Sequence, residues 1–236
     1  MSETEKISME LFSDVGMGEL FMSRLFNFET DILQGLVGID HKEIEHLIFR
    51  TIFDGLEPAF RSLRSLREKW NDPEIPKKEK IQLIENIFSY LVVAFKDRFQ
   101  EVAYKMGYDI SFLFKNQKIF EKEYVEFQKK HPMIDPKFIL EDREWLNILI
   151  GVRNNVIDHK AGKDPDIIKQ LSVFLTLENV EILFDNCWRS VEDFLAAFAV
   201  DKTDSKYGMK IQELVEYRKN KTHDHRFGWF DASLKL

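Results

Sequence analysis

Apolar residues recur along this chain at intervals of three and four, the spacing that lines one face of an α-helix. The first such run covers residues 18 to 36. There Leu20, Phe21, Leu25, Phe28, Ile32 and Leu36 fall on one side, and Gly35 and Gly38 punctuate the end. Asp40 then stands as an N-cap with Glu43 three residues on, the arrangement of a capping box. A second helix follows, carrying Ile44, Leu47, Ile48, Ile52, Leu56, Phe60, Leu63 and Leu66. Pro58 interrupts that stripe. Proline has no amide hydrogen and crowds the preceding turn, so it is expected to kink or divide the helix.

The segment NDPEIPKK, residues 71 to 78, holds two prolines and a run of charges and reads as a loop. A third helix carries Ile81, Ile84, Phe88, Leu91, Val92, Phe95, Phe99 and Val102, with Gly107 suited to the position just past its end. A fourth spans roughly 110 to 130 and stops at His131-Pro132. A fifth begins after Pro136, carries Phe138, Ile139, Trp145, Leu146, Leu149, Ile150 and Val152, and ends near His159. In the next segment Val180, Leu183, Phe184, Cys187, Trp188, Val191, Leu195 and Phe198 keep helical spacing. The stretch SVFLTLE alternates weakly, but a lone strand has no ladder partner, so a helix or an irregular turn is expected there. The tail from 201 is polar with one short helix, KIQELVEYRK. No solenoid-period repeat or low-complexity tract interrupts the pattern. The expected fold is all-α, a multi-helix bundle. Its parts are an N-terminal helical region, 1–75, packed on a helical core, 76–200, and a polar tail, 201–236.

Composition narrows the function classes. The 236 residues suffice to bury a core without covalent staples. Phe supplies 21 of the aromatic residues, and with only 10 Gly and 6 Pro this favours long helices over a turn-rich β fold. The net charge of −7 argues against a coat-type nucleic-acid binder, whose affinity comes from neutralising phosphates. It leaves room for an enzyme with a small cationic cleft. Cys187 is the one cysteine, so no intramolecular disulfide forms and a reducing compartment fits. Its apolar surroundings, FDNCWRS, predict a buried small hydrophobe. The opening residues, MSETEKISMELF, do not read as a signal peptide, and no stretch approaches the ~20 apolar residues of a membrane span. A cytoplasmic protein with no membrane partner is expected.

Chemistry concentrates at ILIGVRNNVIDHKAGKDPD, residues 148 to 166, where an apolar helix runs into Arg153, Asn154, Asn155, Asp158 and His159. Histidine titrates near neutrality and can move protons. Arginine offers a fixed charge and a planar fork for phosphate oxygens. Asparagine can hydrogen-bond a phosphate or a sugar hydroxyl. Arg153-Asn154-x4-His159, at the end of a helix in an all-α chain, resembles the R-x4-6-H motif of the HEPN superfamily, in which a polar residue, often Asn, follows the Arg. The resemblance implies that residues 76–200 form a HEPN-like core and that two copies pair as a homodimer. It also implies metal-independent cleavage of RNA, with no cofactor. His159 would then be the general base or acid at the RNA 2′-hydroxyl, Arg153 would hold the scissile phosphate, and Asn154 would support positioning. Asn155 and Lys160 are the further substrate-binding candidates. Many relatives act as toxins or in anti-phage defence, which implies an antitoxin-type protein partner; others are non-catalytic binding scaffolds.

Geometry constrains that reading. Six residues of straight helix turn through about 600°, so Arg153 and His159 point about 120° apart and stand roughly 9 Å apart along the axis. The helix must end before His159, or Arg153 must reach around, or a second subunit must supply the partner. A non-catalytic alternative stays open: Arg153 pairs with Asp158, and His159 ends a helix where a cation is favoured. Glu43-x-x-His46 is half of a di-iron carboxylate motif, but no second Glu-x-x-His exists, so both residues are expected on a polar helix face. His223-x-His225 lacks a third ligand at convincing spacing. Lys77-Lys78-x-Lys80 and Lys129-Lys130 read as solvated faces. Trp145 reads as a core anchor.

Overall fold

The computed structural model describes residues 42–140, 143–154 and 173–202. These are helical throughout, with turns between and no strand. The helices predicted over 18–36 and in the tail, and the Asp40 cap, lie outside the described residues.

The first predicted stripe seen here is a rod of three pieces. Helix α1 (Lys42–Thr51) passes through a widened turn (Ile52–Leu56) into α2 (Glu57–Trp70). Pro58 explains the widening. In a regular helix its ring would meet the carbonyl of residue 54. Instead the Glu57 amide donates back five residues, to the Ile52 carbonyl, and Pro58 sits in the first turn of α2, where no amide hydrogen is needed. The chain turns back at 71–76 and enters α3 (Lys77–Val92), which lies along α2. Lys80 Nζ donates to the carbonyls of Trp70 (2.7 Å) and Asp72 (2.9 Å), closing the turn.

A second widened turn (Val93–Phe99) leads into α4 (Gln100–Lys105). Gly107, at φ 93°, ends α4: its amide donates to the Tyr104 carbonyl and the Tyr108 amide to that of Ala103, the glycine-terminated cap expected from sequence. The two widened turns pack on one another. Asp54, in the first, accepts from Arg50 Nε at 3.1 Å and lies 2.9 Å from Arg98 Nε in the second.

The predicted fourth and fifth helices are each divided. Residues 111–114 form a tight turn, and Asn116 caps α5 (Gln117–Lys130) by accepting from the Ile119 amide at 3.1 Å. Helix α6 (Pro136–Leu140) is separate from α7 (Glu144–Val152). Arg143, at the head of α7, shows what competes with continuous helix. Its guanidinium donates to the Leu113 carbonyl from Nε (3.2 Å) and Nη2 (2.9 Å), to Gln117 Oε1 (2.9 Å) and to the Lys115 carbonyl, and it lies over the Phe120 ring. Such a fork satisfies three backbone or amide oxygens that end the tight turn.

SVFLTLE forms a turn at 173–176 and then enters α8 (Leu177–Lys202), with Thr176 Oγ1 accepting from the Asn179 amide. Helix α8 is central. Its apolar stripe meets α2, α3, α6 and α7, and Phe194 and Phe198 join Phe95, Phe99 and Trp145 in one aromatic cluster. Burying each such ring contributes about 2–3 kcal/mol, enough for this cluster to dominate the core. Trp145 is a core anchor, as expected, and Cys187 is fully buried with Sγ 3.8 Å from the Leu91 carbonyl. Glu43 and His46 are exposed on α1, and Glu43 pairs with Lys105 at 2.8 Å. Among the described residues no helix is long and apolar enough to cross a membrane.

Candidate functional site

Helix α7 positions the motif. Trp145, Leu146, Leu149 and Val152 are buried, so the helix is anchored along almost its whole length. Arg153 is its last cap. The Arg153 amide is shared between the carbonyls of Leu149 and Ile150, and the turn through Arg153 and Asn154 is widened. Spaced four and seven residues after Leu149 and Leu146, Arg153 continues the inward stripe, which accounts for its half-buried state. Asn154 is also half-buried. A rigid helix thus delivers a guanidinium and an amide at the edge of the core. Asn155, His159 and Lys160, the other candidate site residues, lie outside the described residues, as does Asp158.

The opposite end of α7 borders a cleft of about 270 Å³ between α7, α8 and the turn before α8. Leu140, Trp145, Ile148, Phe174, Ile182 and Leu183 make its apolar walls. Glu144 lines it from α7; Asn179, Asn186 and Arg189 line it from α8. Arg189 Nη2 donates to Asn186 Oδ1 at 3.0 Å. That bond fixes the orientation of the Asn186 amide and turns its Nδ2 into the group that can donate elsewhere. Sequence reading missed this cleft, because Ile148 and Ile182 fall outside the apolar stripes followed along the chain, and its two main walls come from helices far apart in sequence.

It also missed the charged side of α8. Glu181, Asp185, Arg189 and Asp193 recur every fourth residue, and all are buried; Arg67 of α2 lies 3.7 Å from Glu181. The four-residue spacing was visible, yet it reads as a solvated ion-pair face. Only the packing around α8 reveals otherwise.

A third polar cluster closes the C-terminal end of α8. Tyr108 is fully buried, stacked on Phe198 at 4.2 Å, and its hydroxyl donates to Asp201 Oδ2 at 2.8 Å. His131 Nδ1 lies 3.5 Å from the same oxygen, its ring edge-on to Tyr108 at 4.8 Å. Burial first, then the hydrogen bond to Asp201, push the Tyr108 phenol well above the usual tyrosine range. A phenol held protonated this firmly is a structural rivet, not a nucleophile. Among the described residues no three His, Cys, Asp or Glu side chains gather to hold a metal ion.

No family model, curated protein or solved structure matches the chain.

Proposed function

We propose that this chain is a metal-independent endoribonuclease of HEPN type, working as a homodimer in which Arg153 and His159 converge on one phosphate. His159 takes the proton of the RNA 2′-hydroxyl, and the 2′-oxygen attacks phosphorus. The bond to the 5′-oxygen breaks, that oxygen receives a proton, and a 2′,3′-cyclic phosphate remains. Arg153 neutralises the charge that builds on the non-bridging oxygens. Asn154 positions the phosphate, and Asn155 and Lys160 bind the flanking chain. In the cell an antitoxin-type protein restrains the activity, as suits a toxin or defence component.

The observation that carries this reading is the delivery of Arg153 and Asn154 by a widened turn that continues a helix anchored along almost its whole length in an all-α chain. Such widened turns recur at functional sites. The test is cleavage of RNA by the purified protein in EDTA, with end-group analysis of the products. A 2′,3′-cyclic or 3′ phosphate is expected, and His159→Ala and Arg153→Ala should each abolish cleavage with the helical circular dichroism intact. Cleavage that survives His159→Ala overturns the assignment.

One observation favours a second reading, a non-catalytic HEPN-like binding scaffold. Arg153 is half-buried on the inward stripe of α7, a placement that suits packing of its stem against the core as well as a phosphate contact. An intact substrate after prolonged incubation at high protein concentration would favour the scaffold.

A further inference from the structure

We propose that the solvent face of α5 is a track for the phosphate backbone of single-stranded RNA, centred on Lys118 and Lys122; this rests on the ribonuclease reading above. Helix α5 is held to the core along one narrow side, where Phe120 and Phe127 are buried and Tyr124 is half-buried. On the opposite side Lys118, Lys122, Val125 and Lys129 follow one another at intervals of four, three and four, and all are exposed. From Lys115 to Lys137 six lysines stand against four acids, in a chain whose net charge is −7. Three of those acids are already engaged. Glu121 pairs with Lys137 at 3.1 Å, Glu126 pairs with Lys129 at 2.9 Å, and Asp135 accepts from the Tyr124 hydroxyl at 3.0 Å. Glu123, the fourth, stands about 100° round the helix from Lys122. Lys115, Lys118, Lys122 and Lys130 form no ion pair among the described residues.

These charges do little for the fold itself. A helix N-terminus is the positive end of the dipole and favours acids. The first turn of α5 has no acid; it carries Lys118, and Lys115 stands one residue ahead of the Asn116 cap. Lys118 and Lys122, four apart, are like charges on one face and repel. An anion laid along the face relieves both conflicts, and a basic face that follows the backbone is how sequence-tolerant binders hold a single strand. Lys118 and Lys122 rise about 6 Å apart, a step that neighbouring phosphates of an extended strand can match. Exposed Ile119, Val125 and Met133 offer aliphatic surface to riboses and bases. The apolar side of α5 is taken up by the core, which leaves no broad apolar face to bury in a lipid surface. Arg143 binds the Lys115 carbonyl and heads α7. From Arg143 to Arg153 the helix axis advances roughly 15 Å, a length that a few nucleotides of single strand cover.

The test is fluorescence anisotropy of the full chain with a labelled 2′-O-methyl oligouridylate, whose blocked 2′-oxygen cannot attack, across a salt series. Lys118→Gln/Lys122→Gln should weaken binding about tenfold at low salt and flatten the slope of log K against log salt by about 1.4, the share of two phosphate contacts on a single strand. Lys77→Gln/Lys78→Gln removes the same charge from an exposed stretch at the start of α3 and should leave both quantities near wild type. Lys118→Glu should lose binding while its melting temperature holds or rises, because an acid suits that turn; the loss is then not unfolding. A wild-type chain that binds no RNA, or two glutamine pairs that act alike, overturns the proposal. So does pelleting with phosphatidylserine vesicles that needs Lys118 and Lys122 when RNA binding does not. If Lys118→Gln/Lys122→Gln cuts RNA with unchanged KM, the track falls while the ribonuclease reading stands. If RNA is held through α5 and never cut, the ribonuclease reading falls and the track belongs to an RNA-binding scaffold.

Discussion

Gly55 lies so close to Ala94 that a Cβ built on it would sit 2.5 Å from the Ala94 Cβ, 2.6 Å from its Cα and 2.7 Å from its amide nitrogen. The two residues mark where the widened turns of the two long rods touch. An absent side chain is what allows the backbones to approach.

Gly55→Ala is therefore expected to destabilise the fold, although glycine to alanine within a helix ordinarily helps by about 1 kcal/mol. Overpacking at this contact should cost about 1–3 kcal/mol, read as a lower urea midpoint at unchanged slope. Adding Ala94→Gly should recover only part of the loss, because the Ala94 Cα and nitrogen remain in the way. Full recovery would mean that the backbones are free to part.

Arg143→Lys tests the clamp at the head of α7. A lysine keeps the charge and loses the planar fork that reaches Leu113, Lys115 and Gln117 together. The expected loss is about 2 kcal/mol, with amide exchange accelerating in the tight turn at 111–114 before it does in α3. Equal exchange in both places would count against the clamp.

Tyr108 makes the stability pH-dependent on the alkaline side. Its phenol pKa is raised in the folded state, so the neutral form is favoured there. That contribution is fully present below the ordinary tyrosine pKa of about 10 and is lost as pH rises through the higher folded value. Tyr124, bonded to Asp135 and pushed up to about 12 by burial first and that bond second, adds to the same trend. From pH 8 to 11 the wild-type urea midpoint should fall more steeply than that of Tyr108→Phe, with Tyr124→Phe in between. Parallel curves for all three would contradict the rivet.

The helical class and its main stripes were open to reading because periodicity reports burial on one face. Ile84, Phe88, Leu91, Phe95 and Phe99 all lie in the core as spaced. Pro58 announced a disturbance, but a widened turn at Val93–Phe99 has no proline to betray it. The divisions at Asn116 and Arg143 depend on long-range bonds that local spacing does not encode. Helix α8 is buried on its charged side as well as its apolar one, and one-dimensional pattern always assigns charge to water. At the candidate site the sequence led to a helix running to near His159; the regular part of α7 stops at Val152 and a widened turn takes over at Arg153 and Asn154, while Asn155, His159 and Lys160 fall outside the described residues. The cleft escaped notice because it is made by residues some 35 positions apart on two helices, Glu144 and Asn179 among them.

The charges on α8 carry a last implication, for how the helix finds its seat. Arg67 faces Glu181, and the next steps along the ladder are Asp185, Arg189 and Asp193. Slid by one turn, α8 would still offer Arg67 an acid, so only the jigsaw of Phe194, Phe198 and Tyr108 can reject that misfit. Slid by two turns, it would thrust one guanidinium against another away from water, a mismatch that repels outright. Shape thus polices the near error and charge the distant one.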